Sequence, residues 1–224
     1  MRFTKGTPDE AAKFIASRIT SLIKGGKPVL WLVSGGSNIP IQKAAMDLIS
    51  DDLSKRLTIM PVDERYGTYN HADSNIAQLR KAGFDPKHAE LVDILEENLS
   101  PKGTVLLARD YIAREIAIDD TIFATLGMGA DGHTAGVLPH SPALHCSDLV
   151  MAYKAPDFLR ITLCADTIAA HCDEVVLCAF GPKKTTALKK LYALEDQRDE
   201  VPAMILKEIG HCTVFNDTIE GDIL

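Results

Sequence analysis

The run Val29-Leu30-Trp31-Leu32-Val33 is apolar at every position and stops at Ser34-Gly35-Gly36-Ser37, after which a helix is expected to open at Asn38 and Pro40 and run towards Ile49. A strand that alternates apolar and polar residues can keep one face in water. A strand that is apolar throughout must be covered on both faces, which places it inside a mostly parallel sheet flanked by helices. Leu57 to Val62, ending at Asp63-Glu64-Arg65, and Thr121 to Leu126, ending at Gly127-Met128-Gly129, repeat the plan. Further strands are expected at Leu149 to Tyr153, Arg160 to Cys164, Glu174 to Ala179 and Cys212 to Asn216. Helices are expected over Thr104 to Ala117, Lys183 to Leu194 and Pro202 to Glu208, with a short one after Ser74-Asn75. Near the start, Thr7-Pro8-Asp9-Glu10 reads as a capping box, Phe14, Ile15, Ile19, Leu22 and Ile23 recur at helical spacing, and Gly25-Gly26 should end that helix. The alternation implies an α/β fold of three layers, a doubly wound and mostly parallel sheet with helices on both faces. Between Phe84 and Lys102 the apolar pieces around Leu91 to Leu95 read as either strand or loop.

With 224 residues, 46% of them hydrophobic, the chain can bury a full core, and one α/β domain over residues 1–224 is expected. The first residues lead into a charged amphipathic stretch rather than a signal peptide, and no apolar run is long enough to span a bilayer, so a soluble, cytoplasmic protein is expected. Five cysteines, Cys146, Cys164, Cys172, Cys178 and Cys212, form an odd set with no C-x-x-C pair. They are expected to be reduced and mostly buried, forming neither disulfides nor a zinc site. A formal net charge of −7 speaks against a nucleic-acid surface, which needs a concentrated basic face. An anionic ligand would therefore depend on local cations.

Three strand ends carry residues suited to chemistry, all on the rim where open α/β sheets bind ligands. At Ser34-Gly35-Gly36-Ser37 small residues let backbone N–H groups approach an anion, and the helix that follows adds the positive end of its dipole. An ordinary glycine turn is the competing reading, which the two flanking hydroxyls disfavour. At Asp63-Glu64-Arg65 the guanidinium can hold a carbonyl or carboxylate oxygen, although a surface cluster of charges would look the same. At Gly127 to Pro139 a glycine-dense turn sets Asp131 and His133 two positions apart. An imidazole titrates near neutrality and can take a proton from water and return it to a leaving oxygen, so His133 is the candidate base. Gly127, Gly129 and Gly132 also satisfy G-x-G-x-x-G, but Pro139 and Pro142 would break the long helix that a dinucleotide pyrophosphate needs. Metal binding by His133, His140, His145 and Cys146 matches no standard ligand spacing, and no metal is expected.

Taken together, Ser34-Gly35-Gly36-Ser37, Asp63-Glu64-Arg65 followed by Ser74-Asn75, and Gly127-Met128-Gly129-Ala130-Asp131-Gly132-His133-Thr134-Ala135 resemble the 6-phosphogluconolactonase family in content, order and spacing. Arg160-Ile161-Thr162-Leu163, Gly181-Pro182-Lys183-Lys184, Val201-Pro202-Ala203 and Thr213-Val214-Phe215 are similar to its later motifs. The resemblance implies hydrolysis of 6-phosphoglucono-δ-lactone to 6-phosphogluconate in the oxidative pentose phosphate pathway, without metal or organic cofactor. It implies His133 as general base, Asp131 as the group that fixes the imidazole, and Arg65 as the group that stabilises the oxyanion or orients the lactone. It implies a small sugar phosphate lactone as the partner, bound by Ser34, Gly35, Gly36, Ser37, Asp63, Arg160 and Lys184, with Lys184 rather than Lys183 at the fourth position of G-x-x-K. Oligomeric state is left open. The chain departs from the family at Asn38, where threonine is common, at Tyr66-Gly67, where Val-Pro is usual, and at Gly136-Val137-Leu138 in place of Ser-Leu-Phe.

Two other readings compete. Glucosamine-6-phosphate deaminase has a similar Asp-Gly-His turn that continues to a glutamate, where this chain has Leu138, and it typically shows Asp-Glu-Tyr where this chain has Asp63-Glu64-Arg65. A non-catalytic sugar-phosphate-binding regulator would keep the anion site, but no basic helix-turn-helix region accompanies it.

Overall fold

The computed structural model describes residues 1–118, 120–193 and 198–222. Its strands are β1 (Arg2–Lys5), β2 (Val29–Val33), β3 (Leu57–Pro61), β4 (Asp63–Arg65), β5 (Glu90–Leu91), β6 (Thr121–Gly127), β7 (Val150–Lys154), β8 (Leu159–Leu163), β9 (Glu174–Ala179), β10 (His211–Asn216) and β11 (Gly221–Asp222). The α-helices are α1 (Pro8–Lys24), α2 (Ile39–Leu48), α3 (Asp51–Ser54), α4 (Asn75–Lys81), α5 (Pro101–Ala117), α6 (Ala165–His171) and α7 (Thr185–Tyr192). Pro202–Glu208 winds as a 3-10 rather than an α-helix, and Leu194, the expected end of the preceding helix, lies outside the described residues.

Local chemistry starts α1 as its sequence requires. The Thr7 hydroxyl accepts from the Glu10 N–H, and the Glu10 carboxylate accepts from the Thr7 N–H at 2.8 Å. Ala11, Ala12, Ile15, Ala16, Ile19 and Ile23 then form one buried stripe, and Gly25 caps the end. The stripe packs on one face of an eight-stranded sheet in the order β11-β1-β10-β9-β6-β2-β3-β5, parallel throughout except for β11.

The fully apolar strand β2 shows why both faces are covered. Val29, Trp31 and Val33 join the core beneath α1 and α2, while Leu30 and Leu32 point to the opposite core with residues of α5, α6 and α7. Trp31 is completely buried and satisfies its indole N–H on Thr125 Oγ1 at 2.9 Å. The expected three-layer, mostly parallel fold is thus observed. Among the described residues no helix is long and apolar enough to cross a membrane.

Two expectations need correction. The strands expected at 149–153 and 160–164 do not enter the main sheet: β7 and β8 pair antiparallel with each other, and β8 pairs antiparallel with β4. The charged triplet Asp63-Glu64-Arg65 is itself the edge strand of this small sheet, which sets Arg65 directly opposite Arg160. The cysteines, expected to be reduced, include one disulfide, Cys146–Cys164. Its halves lie 18 positions apart and meet because the β7–β8 hairpin folds back, with Cys164 N–H donating to Leu149 O. Cys172, Cys178 and Cys212 are buried free thiols, and burial pushes each up to about 12. The short edge strands β1 and β11 were not expected from the sequence.

Candidate active site

Strand order reverses beside β2, since β3 follows on one side and β6 inserts on the other. A crevice must open at the carboxyl ends of two strands whose connections diverge in this way. The chain after β2 forms the Ser34–Ser37 turn and a single 3-10 turn, Gly36–Asn38, that runs directly into α2. Asn38 does not cap that helix. It is buried and donates to Ser34 Oγ at 3.0 Å, while Gln42 clasps the Ser34 backbone through both ends of its amide, 2.8 and 2.7 Å. Gly36 has φ +66°, a conformation that glycine reaches without strain.

The chain after β6 forms the second wall. Gly129 N–H donates to His133 O at 2.8 Å and the Thr134 hydroxyl to Gly127 O at 2.7 Å, closing a tight loop. Asp131 Oδ1 lies 2.7 Å from His133 Nδ1 and also accepts from the His133 N–H at 3.2 Å. Partial burial works against ionisation of Asp131, yet the charge and the N–H donors of His133 outweigh it and hold the carboxyl below its ordinary value. A side chain at Gly129 would collide with the imidazole, so the glycine leaves room for the ring. Behind the loop, Gly132 O accepts from Ala203 N–H at 3.0 Å, which ties the turn to the segment 202–208.

The small antiparallel sheet supplies the third wall. Two guanidiniums opposite each other in an antiparallel pair repel unless anions lie between or beside them. Arg160 binds Asp157 at 2.7 Å and approaches Asp63 at 3.6 Å, while Arg65 donates to Asp73 O at 3.0 Å and lies over the Phe158 ring. Burial raises Asp63 above the ordinary carboxylate range, a change that the charges of Arg65, Arg160 and His133 only partly offset. Glu64 turns away from the crevice. Its fully buried carboxylate accepts from the backbone N–H groups of Arg65, Asn75 and Ile76 and from the Ser74 hydroxyl, anchoring the start of α4.

These walls enclose a cleft of about 160 Å³ lined by Ser34, Gly35, Gly36, Ser37, Asp63, Arg65, His133, Arg160 and Lys184. Nine of the ten residues singled out from the sequence therefore meet in one place, and the tenth, Asp131, holds the imidazole from behind. Lys184 lines the cleft, whereas its neighbour Lys183 is exposed and does not. A roomier hollow of about 520 Å³ lies at the opposite ends of the strands, around Arg2, Glu174 and His211, and contains none of these groups. Asn75 also lines the cleft; in the sequence it marked the approach to a short helix and belonged to the Ser74-Asn75 motif of the resemblance, without a role in the site. Three buried polar atoms of the cleft residues, Arg65 Nε, Arg160 Nε and Asn75 Oδ1, have no hydrogen-bond partner within the described residues. Unpaired groups of this kind are costly unless a ligand completes them.

Solved structures share this fold. A 6-phosphogluconolactonase from Shewanella baltica superposes with a TM-score of 0.78 at 22% identity, covering 96% of each chain. A monomeric glucosamine-6-phosphate deaminase superposes equally well, at 0.77 and 19% identity over 97% of this chain and 98% of that one, so backbone likeness alone does not separate the two activities. By sequence, proteins named 6-phosphogluconolactonase from Synechocystis and from Pseudomonas aeruginosa are 28% and 29% identical to this chain. The first match covers 96% of this chain and 93% of the relative, the second 82% and 80%. The model of the family described as glucosamine-6-phosphate isomerases/6-phosphogluconolactonase matches residues 5–215, and the chain belongs to that family.

Proposed function

We propose that the protein hydrolyses 6-phosphoglucono-δ-lactone to 6-phosphogluconate, acting in the oxidative pentose phosphate pathway as one cytoplasmic α/β domain. The observation that carries this reading is a single cleft with His133, backed by Asp131, on one wall and the Ser34–Ser37 turn with Arg160 and Lys184 on the others. The deaminase reading lacks a comparable support, because Leu138 packs against the apolar core where a carboxylate would be needed.

In this reading the phosphate lies on Gly35, Gly36 and Ser37 at the start of α2, held by Arg160 and Lys184, which lets an acidic protein bind a dianion. With Asp131 ionised and accepting from Nδ1–H, His133 keeps its Nε2 lone pair. Nε2 takes a proton from water as the water oxygen attacks the lactone carbonyl carbon. Arg65 faces the oxygen on which negative charge develops. The tetrahedral intermediate then collapses, the bond from carbonyl carbon to ring oxygen breaks, and His133 returns its proton to that oxygen. Asp63, 3.6 Å from Arg160 and within the field of Arg65, tempers the repulsion between the two guanidiniums.

Turnover of the lactone above its spontaneous opening is the direct test, run beside an assay for ammonia release from glucosamine 6-phosphate. Release of ammonia without lactone turnover would overturn the proposal. The phosphate cradle has its own signature. Lys184→Ala should raise KM about tenfold with a smaller change in kcat, because a phosphate contact binds ground and transition states alike. Inorganic phosphate should also become a weaker competitive inhibitor, and a loss confined to kcat would contradict the placement.

A further inference from the structure

We infer that Asn75 reads a ring hydroxyl of the substrate through its side-chain carbonyl, making it a specificity-determining residue of the cleft. The inference rests on the lactonase reading for the identity of the ring, and on the geometry of Asn75 for everything else.

Asn75 is 3% exposed, and its amide orientation is fixed by chemistry. Nδ2 lies 2.8 Å from the backbone carbonyl oxygen of Asp63. A carbonyl can only accept, so the end of the amide that faces it must be the NH2 group, and the other end must be Oδ1. That oxygen is buried and has no partner within the described residues. It is aimed at Gly35, where an added Cβ would collide with it. Gly35 has φ −83°, which any residue can adopt, so glycine stands there to leave space and not to shape the backbone.

Asn75 is not occupied elsewhere. The helix cap is Ser74, whose hydroxyl accepts from Ala77 N–H at 3.1 Å, and the Asn75 N–H is held by Glu64 at 2.6 Å. Its side chain is thus free of structural duty at one end and rigidly placed by the other. The cations and the serine hydroxyls of the cleft suit the oxygens of a phosphate and a carbonyl. A ring hydroxyl must also donate, and it needs an acceptor. Asp63 is already engaged by Arg160, whereas Asn75 Oδ1 is a neutral acceptor on a cleft residue and has no partner among the described residues. A site built to receive a hydroxyl rejects the analogue that lacks it, because the buried acceptor is then stranded.

The test measures kcat/KM for 6-phosphoglucono-δ-lactone and its 2-, 3- and 4-deoxy analogues with the native protein and with Asn75→Ala and Asn75→Ser. One analogue should lose roughly tenfold with the native protein. Asn75→Ala should lose a similar factor on the parent lactone and nothing further on that analogue, the non-additive pattern of two groups in contact. Independent, additive losses would overturn the inference, as would a native protein that treats every deoxy lactone like the parent. The native series alone retains this second refutation if Asn75→Ala does not fold, and Asn75→Ser supplies the smaller truncation. Failure of the native protein to open the parent lactone would sink the lactonase reading separately. Asn75 would then be judged by calorimetric binding of glucosamine 6-phosphate, the ring compound of the rival reading, and its 3- and 4-deoxy forms, where the same coupling is expected and its absence is fatal.

Discussion

Replacing His133 with alanine is expected to lower kcat for the lactone by roughly 10²–10⁴, with little change in KM. The loss follows from position. His133 is the imidazole that lines the cleft, and its Nδ1 is committed to Asp131 at 2.7 Å, so the opposite nitrogen is the one left to handle a proton. Asp131→Asn separates orientation from charge. An asparagine nitrogen facing Nδ1 would donate to it and move the imidazole proton to Nε2, so kcat should fall even though the loop keeps its shape. Because the Asp131 carboxyl is held below its ordinary value, its protonation should not set the acid limb of the native pH profile. Progress curves corrected for spontaneous opening would check both variants, and native-like kcat in His133→Ala would falsify the assignment of the base.

The rim of this site was legible in the sequence for a physical reason. A buried parallel strand has to be apolar throughout, so its end is visible where glycines or charges begin, as after Val33, Val62 and Leu126. Everything carried by those ends converges because parallel strands share one carboxyl edge. What stayed hidden depends on contacts between segments far apart in the chain. A strand made of Asp63, Glu64 and Arg65 has no strand signature, and only its pairing with β8 reveals it. The Cys146–Cys164 bond likewise follows from the β7–β8 hairpin, not from cysteine spacing. Asn75 looked like a helix start because the same residue types serve as caps, and its orphaned oxygen exists only once Asp63 O has claimed its nitrogen. Glu64 read as one charge of a triplet either facing the rim or forming a surface cluster, yet it is fully buried.

That burial gives Glu64→Gln a large expected cost to stability, about 2–4 kcal/mol at pH 5. Glu64 Oε1 accepts from Arg65 N–H at 2.8 Å and Asn75 N–H at 2.6 Å, and Oε2 from the Ser74 hydroxyl at 2.9 Å and Ile76 N–H at 3.2 Å. Either oxygen of a carboxyl group, ionised or protonated, keeps a lone pair, whereas the NH2 end of a glutamine keeps none. With the NH2 end in place of Oε1, the Arg65 and Asn75 N–H groups would face another donor; in place of Oε2, the Ile76 N–H would, because the Ser74 hydroxyl can turn to accept. The pH dependence decides which force governs the group. Burial pushes Glu64 up to about 7, and the four donors pull the other way without overcoming it. In the window from about 4.5 to 7 the folded protein then keeps a proton that the unfolded chain has released. The contribution of Glu64 to stability is complete below that window, declines as pH rises through it, and is level above. Since glutamine does not titrate, the gap in denaturant midpoint between the native protein and Glu64→Gln should narrow from pH 5 to pH 8. A gap that widens instead would show the carboxylate ionised throughout, with the hydrogen bonds at the start of α4 outweighing the cost of burial.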